Sequence, residues 1–156
     1  VAPLSALGKE GPVRLVVIGG HAPRIENVTV EECEWSEATE VALINRFDVG
    51  LMPLPDESWA RGKCAFKLVQ YMACGVPVVA SPVGANVDVV RADCGLLAST
   101  GSQWLEALRT LRDQPQRARE MGMAGRERIE LDYSLHRNLP VLAEVIRATI
   151  DSGPAA

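Results

Sequence analysis

The chain has 156 residues, 47% of them hydrophobic and 23% charged, which excludes a disordered chain, a collagen-like repeat and a disulfide-stapled miniprotein. A domain of this length buries about 70% of the surface its unfolded chain exposes, so an apolar core suffices to hold it. A net charge of −4, with 4% aromatic residues and no long basic run, argues against a nucleic-acid surface, which needs a basic footprint.

In chain order, residues 2–9 read as a helix and 13–19 (VRLVVIG) as a strand buried on both faces, closed by Gly19 and Gly20. Residues 28–35 alternate apolar and acidic side chains and predict a half-exposed strand near an edge. The link between these strands, 21–28, is shorter than the dozen or so residues a parallel crossover usually takes. It implies either shorter strands or a stretched loop. Ser36 is placed to cap a helix whose first turn carries Glu37 and Glu40, where the macrodipole favours acids. A short strand at 48–54 (DVGLMPL) runs into a proline-bearing loop, and 63–73 (KCAFKLVQYMA) predicts a buried helix ended by Gly75. Strands follow at 76–81 and 95–99, separated by a turn through Gly84 and a helical segment to Val90. Helices at 102–112, 115–130 and 139–150 complete the chain, and the tail SGPAA is expected to fray.

Strands separated by helices predict an α/β, doubly wound, mainly parallel five-stranded sheet with helices on both faces, in one domain spanning 1–156. The four cysteines, at 33, 64, 74 and 94, form no Cys-x-x-Cys pair and have no nearby histidine, so they read as buried reduced thiols. The longest apolar runs fall far short of the roughly 20 residues that cross a bilayer, and a cytoplasmic location is expected. Because residue 1 is Val and already stands in a helix, the chain is expected to be a fragment.

In open parallel sheets the ligand crevice lies beyond the carboxyl ends of the strands. The richest segment there is PLPDESWARGK, which leads into a helix start bearing Gly62, Lys63 and Lys67. Free N–H groups, a positive dipole end and two ammonium groups would make an anion site, although a surface lysine at a helix start is the commoner finding.

Residues 62–90 (GKCAFKLVQYMACGVPVVASPVGANVDVV) resemble the signature of group 1 glycosyltransferases, GT-B enzymes that transfer sugar from a nucleotide donor with retention. Their pattern is Glu, seven residues, Glu, then Ala-Met-Ala-x-Gly-x-Pro-Val-Val-Ala, which 72–81 matches closely. DVGLMPLP and the closing YSLHRNLPVLAEVIRAT are also similar to the family.

The resemblance implies a Rossmann-like donor-binding domain without its first strand, whose slot falls between the strands at 13–19 and 48–52. It further implies a nucleoside diphosphate sugar as donor, no other cofactor and no metal. An N-terminal acceptor-binding domain is the expected partner, nucleic acid is not, and any membrane association would run through the absent domain. Gln70 stands where the family places its ribose-binding Glu, and Gly62 where it places the Glu that meets the donor sugar. Lys63 and Lys67, with Arg61, would face the diphosphate, and Asp56 or Glu57 would be the carboxylates nearest the vacant Glu position. The base would lie near Trp35 and Ser36 and against the Pro53 loop, with Gly84 allowing close backbone approach.

Each residue has a plainer alternative: Trp35 as packing, Gln70 as an exposed polar position, Gly84 as a tight turn. No catalytic residue is assigned, because the chemistry rests on stabilising a departing diphosphate. The replacements at Gly62 and Gln70 keep open a non-catalytic, Rossmann-like interaction module. A nucleotide-sugar epimerase would need acids and histidines beside the donor sugar that the sequence does not locate.

Overall fold

Val78, Val79 and Ala80 are each 0% exposed, because successive side chains of a strand point to opposite faces and this strand is covered on both. The computed structural model describes residues 1–151; the tail 152–156, predicted to fray, lies outside the described residues. On one face Val78 and Ala80 pack with Leu68 and Met72 of α4 (Phe66–Ala73), Val89 of α5 (Asn86–Val89), Cys94 and Ile129. On the other, Val79 packs with Leu7 of α1 (Ala2–Gly8), Ala107, Leu108 and Leu111 of α6 (Gly101–Asp113), and Met121 of α7 (Pro115–Arg128). The helices therefore lie on both faces of a parallel sheet, as the element order predicts.

The strands are parallel throughout but form two sheets rather than one. β1 (Arg14–Ile18) pairs with β2 (Thr29–Cys33), while β4 (Val78–Ala80) pairs with β3 (Gly50–Met52) on one side and β5 (Gly95–Leu97) on the other. Among the described residues, no strand joins β1 to β3. The expected five-stranded sheet is thus split at the slot where the sequence left a strand unaccounted for. A gap there explains why the apolar residues of β1 are only half-buried, whereas β4 is sealed. The link from β1 to β2 is an irregular loop without a helix, pinned by buried Ile25.

Several predicted details change. Residues 58–61 form a separate turn, α3 (Ser58–Arg61), and Ala65 adopts a left-handed conformation at φ 56°. Helix α4 consequently starts at Phe66, and Gly62 and Lys63 lie on the loop before it rather than in its first turn. Ser36 occupies the N-cap position of α2 (Glu37–Ile44), but its hydroxyl meets that of Thr39 instead of capping a backbone N–H. The closing helix α8 (Leu135–Asp151) begins four residues earlier than 139, because Ser134 Oγ accepts from Arg137 N at 3.2 Å and fixes the start. Pro140 is left inside the helix, where it removes one ladder hydrogen bond.

Candidate donor-binding site

The first two turns of α4 and the start of α2 meet at the carboxyl ends of β2 and β3. There, three of the residues singled out from the sequence converge on Glu40. Trp35 Nε1 donates to Glu40 Oε1 at 2.9 Å, Lys67 Nζ donates to the same oxygen at 3.1 Å, and Gln70 Nε2 donates to Oε2 at 2.7 Å. The Glu40 side chain is only 14% exposed. The Trp35 indole, followed by the Lys67 ammonium and the Gln70 amide, holds its carboxyl below the usual carboxylate range against the opposing effect of burial. Lys67 and Gln70 lie one turn apart, which places both on one helix face.

Gly19 explains how Trp35 reaches this position. It follows β1 at φ 68°, and a Cβ there would stand 2.9 Å from Trp35 Cβ, so glycine lets residue 35 approach this closely. Sequence reasoning marked Glu40 as a dipole-favoured first-turn acid and missed its central place. An acid in the first turn of the helix after a strand end was the available signal, but two of its partners lie on another helix.

A cleft of about 350 Å³ opens beside this cluster, lined by Met52 at the end of β3 and by residues 62–67. Lys63 and Lys67 both line it, on the same rim of the sheet. Lys63 Nζ sits 4.0 Å from the centroid of the exposed Trp59 ring, an attraction that steadies the ammonium without neutralising it. No side chain caps α4, so the positive end of its dipole is not offset by a local carboxylate. A larger cleft, about 640 Å³, lies at the opposite rim among residues 12–13 and 24–29, away from the carboxyl ends of the strands.

The remaining candidates fall outside the cluster. Arg61 binds Asp56 through two bonds of 2.7 and 3.1 Å, which lowers the Asp56 pKa and raises that of Arg61. Gly84, at φ 54°, has the Arg61 carbonyl oxygen 2.5 Å from where its Cβ would be, so its freedom serves a backbone contact with α3. Gly62 is exposed and closes α3. Ser36 is engaged with Thr39. Ser81 Oγ accepts from Leu54 N at 2.9 Å and ties the loops after β3 and β4 together. Among the described residues, no three His, Cys, Asp or Glu side chains gather as a metal site would require, and no helix is long and apolar enough to cross a membrane.

The architecture is that of the Rossmann-like half of a GT-B glycosyltransferase, and the sequence agrees. The profile of the group 1 glycosyl transferases matches residues 2–114, well over half of the chain, and the chain belongs to that family. No curated protein matches it significantly. Among solved structures it is similar to sucrose-phosphate synthase from Thermosynechococcus elongatus, with a TM-score of 0.72 and 20% identity over 96% of this chain and 42% of that one. It is also similar to Anabaena HepE in complex with UDP-glucose, with a TM-score of 0.62 and 16% identity over 76% of this chain and 32% of that one. HepE in complex with UDP gives a TM-score of 0.61 and 17% identity, over 78% and 32% of the two chains. The chain spans less than half the length of either protein.

Proposed function

We propose that this chain is the donor half of a retaining glycosyltransferase, binding a nucleoside diphosphate sugar whose hexosyl group passes to an acceptor held by a second, N-terminal domain. The observation that carries the reading is the convergence of Trp35, Lys67 and Gln70 on one carboxylate beside a lysine-lined cleft at the carboxyl ends of the strands. HepE, of the same fold, has been captured with UDP-glucose and with UDP.

In this reading the departing diphosphate lies in the cleft. Lys63, the uncapped start of α4 and, secondarily, Lys67 stabilise the charge that develops as the glycosidic bond breaks, the kind of preorganised field that lowers a barrier without a nucleophile from the protein. Lys63 carries more of this than Lys67, because Glu40 already neutralises the latter. Gly62 lines the cleft, and Gly84 supports α3 beside it through the Arg61 backbone. The reaction calls for no further cofactor in the chain, and the protein is assigned to the cytoplasm. The isolated chain is inactive, since the acceptor groove belongs to the other domain. The apolar stripe of α8, with Leu135, Leu139, Leu142 and Ile146 all more than half exposed, supports a second domain against which it would be covered.

The test is calorimetric titration of UDP, GDP and ADP into the intact protein, with Lys63→Ala and Lys67→Ala. Loss of a charged phosphate contact should weaken binding by about tenfold or more for Lys63→Ala, and less for Lys67→Ala. The pairing of Lys67 with Glu40 and of Arg61 with Asp56 favours a second reading, a non-catalytic interaction module whose cations are satisfied internally. If none of the three nucleotides binds, the second reading is favoured over the first.

A further inference from the structure

We infer that Glu40 is the residue that accepts a ribose hydroxyl of the donor nucleotide, with Gln70 and Trp35 as the positioning residues that aim its carboxylate; the inference rests on the donor-binding reading above. An ionised carboxylate offers about four lone-pair directions and donates nothing. Trp35 and Lys67 fill both directions on Oε1, and Gln70 fills one on Oε2. One acceptor position on Oε2 remains, on a side chain that is mostly covered but not sealed, at 14% exposure. Its partner must therefore be a donor.

Gln70 fixes the sense of this arrangement. Facing a carboxylate that only accepts, its amide must present Nε2, which leaves Oε1 turned away, buried and without a hydrogen-bond partner. The donating arm of Gln70 is thus committed to Glu40 and its accepting arm is out of reach of a ligand. Gln70 acts through Glu40 and not on the ribose itself. The structure tolerates an orphaned buried acceptor in order to hold this carboxylate in place, and a stray surface acid needs no such support.

The chemistry of the ligand selects the hydroxyl. Phosphate oxygens are anionic acceptors and are repelled by a carboxylate, so the diphosphate belongs on the Lys63 side of the cleft. Ribose hydroxyls donate readily and suit the acceptor position left on Glu40 Oε2. The Trp35 ring, which is 55% exposed while its N–H is tied to Glu40, leaves a face on which the adjoining base can stack.

The experiment titrates UDP, GDP and ADP into the intact protein, takes the nucleotide that wild type binds, and compares it with its own 2′,3′-dideoxy counterpart. Removing the hydroxyls should weaken binding to wild type by about tenfold, the effect of one hydrogen bond to a charged group. In Glu40→Ala the same comparison should give about twofold or less. The isosteric Glu40→Gln keeps the site packed and should give an intermediate ratio, and Gln70→Leu should lower the ratio while leaving Glu40 in place. A merely structural strut between α2 and α4 would change the affinity for both nucleotides equally and leave their ratio at the wild-type value, which overturns the inference while leaving the donor-binding reading standing. Tighter ribonucleotide binding by Glu40→Ala would show that the carboxylate blocks the site, and overturns it as well. If wild type binds none of the three nucleotides, the donor-binding reading itself fails and takes this one with it.

Discussion

Two glycines three residues apart on α7 should respond to the same substitution with opposite signs. A Cβ added at Gly122 would stand 2.0 Å from the carbonyl oxygen of Gly75, where ordinary contact begins at 3.4 Å. The obstacle is backbone at the end of α4, so α7 would have to retreat by more than an ångström, opening space beside Met72 and Met121 in the two halves of the core. Overpacking of this kind costs about 1–3 kcal/mol or more, against about 1 kcal/mol gained by replacing glycine in a helix interior. Because the obstacle is backbone and cannot swing aside, the upper end of that range applies, and Gly122→Ala should lose about 2 kcal/mol net, which for a domain of this size lowers Tm by about 4–8 °C. At Gly125 the added Cβ would meet only the Met72 side chain, at 3.4 and 3.5 Å. That flexible chain adjusts, the propensity gain survives, and Gly125→Ala should raise Tm by about 2–4 °C. Differential scanning calorimetry on the two single variants makes the comparison. A Gly122→Ala protein that melts at or above the wild-type temperature would show that α7 does not press on the end of α4 as described, and the placement of Lys67 and Gln70 would lose its support.

The Glu40 carboxyl, held below its ordinary value of 4.5, should stay ionised as pH falls through 4.5. The stability it contributes is present above 4.5 and is lost only as pH falls through the lower folded value; the Trp35 indole N–H resonance should report that step, and Glu40→Gln should abolish it. His21, whose Nδ1 lies 2.8 Å from Glu32 Oε2, is shifted the other way, above its ordinary 6.5, by its bond to Glu32. Its contribution is full below 6.5 and fades as pH rises through the raised value, so an NMR titration of His21 should have a midpoint above 6.5 that Glu32→Gln removes. Thr100 and Gln103 form a reciprocal cap at the start of α6, and Thr100→Ala should cost about 1 kcal/mol in urea unfolding. Gly84→Ala combines a left-handed backbone with a 2.5 Å approach to the Arg61 carbonyl, and should cost about 2 kcal/mol or more by the same measurement.

The sequence by itself determined the elements whose pattern is local. The run at 76–81 declared a buried strand, Gly75 a left-handed helix end, and the order of strands and helices a parallel sheet covered on both faces. The block from 72 to 81 carried the resemblance to the family, which the profile match over residues 2–114 bears out. Tertiary structure alone decided the partners. Trp35, Lys67 and Gln70 were each legible as candidates, but the atom that gathers them is Glu40, which stands 27 residues from Lys67 and 30 from Gln70. No periodicity reports a hydrogen bond across that separation; it exists because the folded chain brings the Glu40 side chain of α2 within reach of the Lys67 and Gln70 side chains of α4. In the same way, Arg61 was drawn to Asp56 and Gly84 to the Arg61 backbone by the turn of α3, which the sequence presented as loop. The sheet divides between β1 and β3 because strand pairing depends on which backbone edges come within reach of each other, and that is settled by how the whole chain packs.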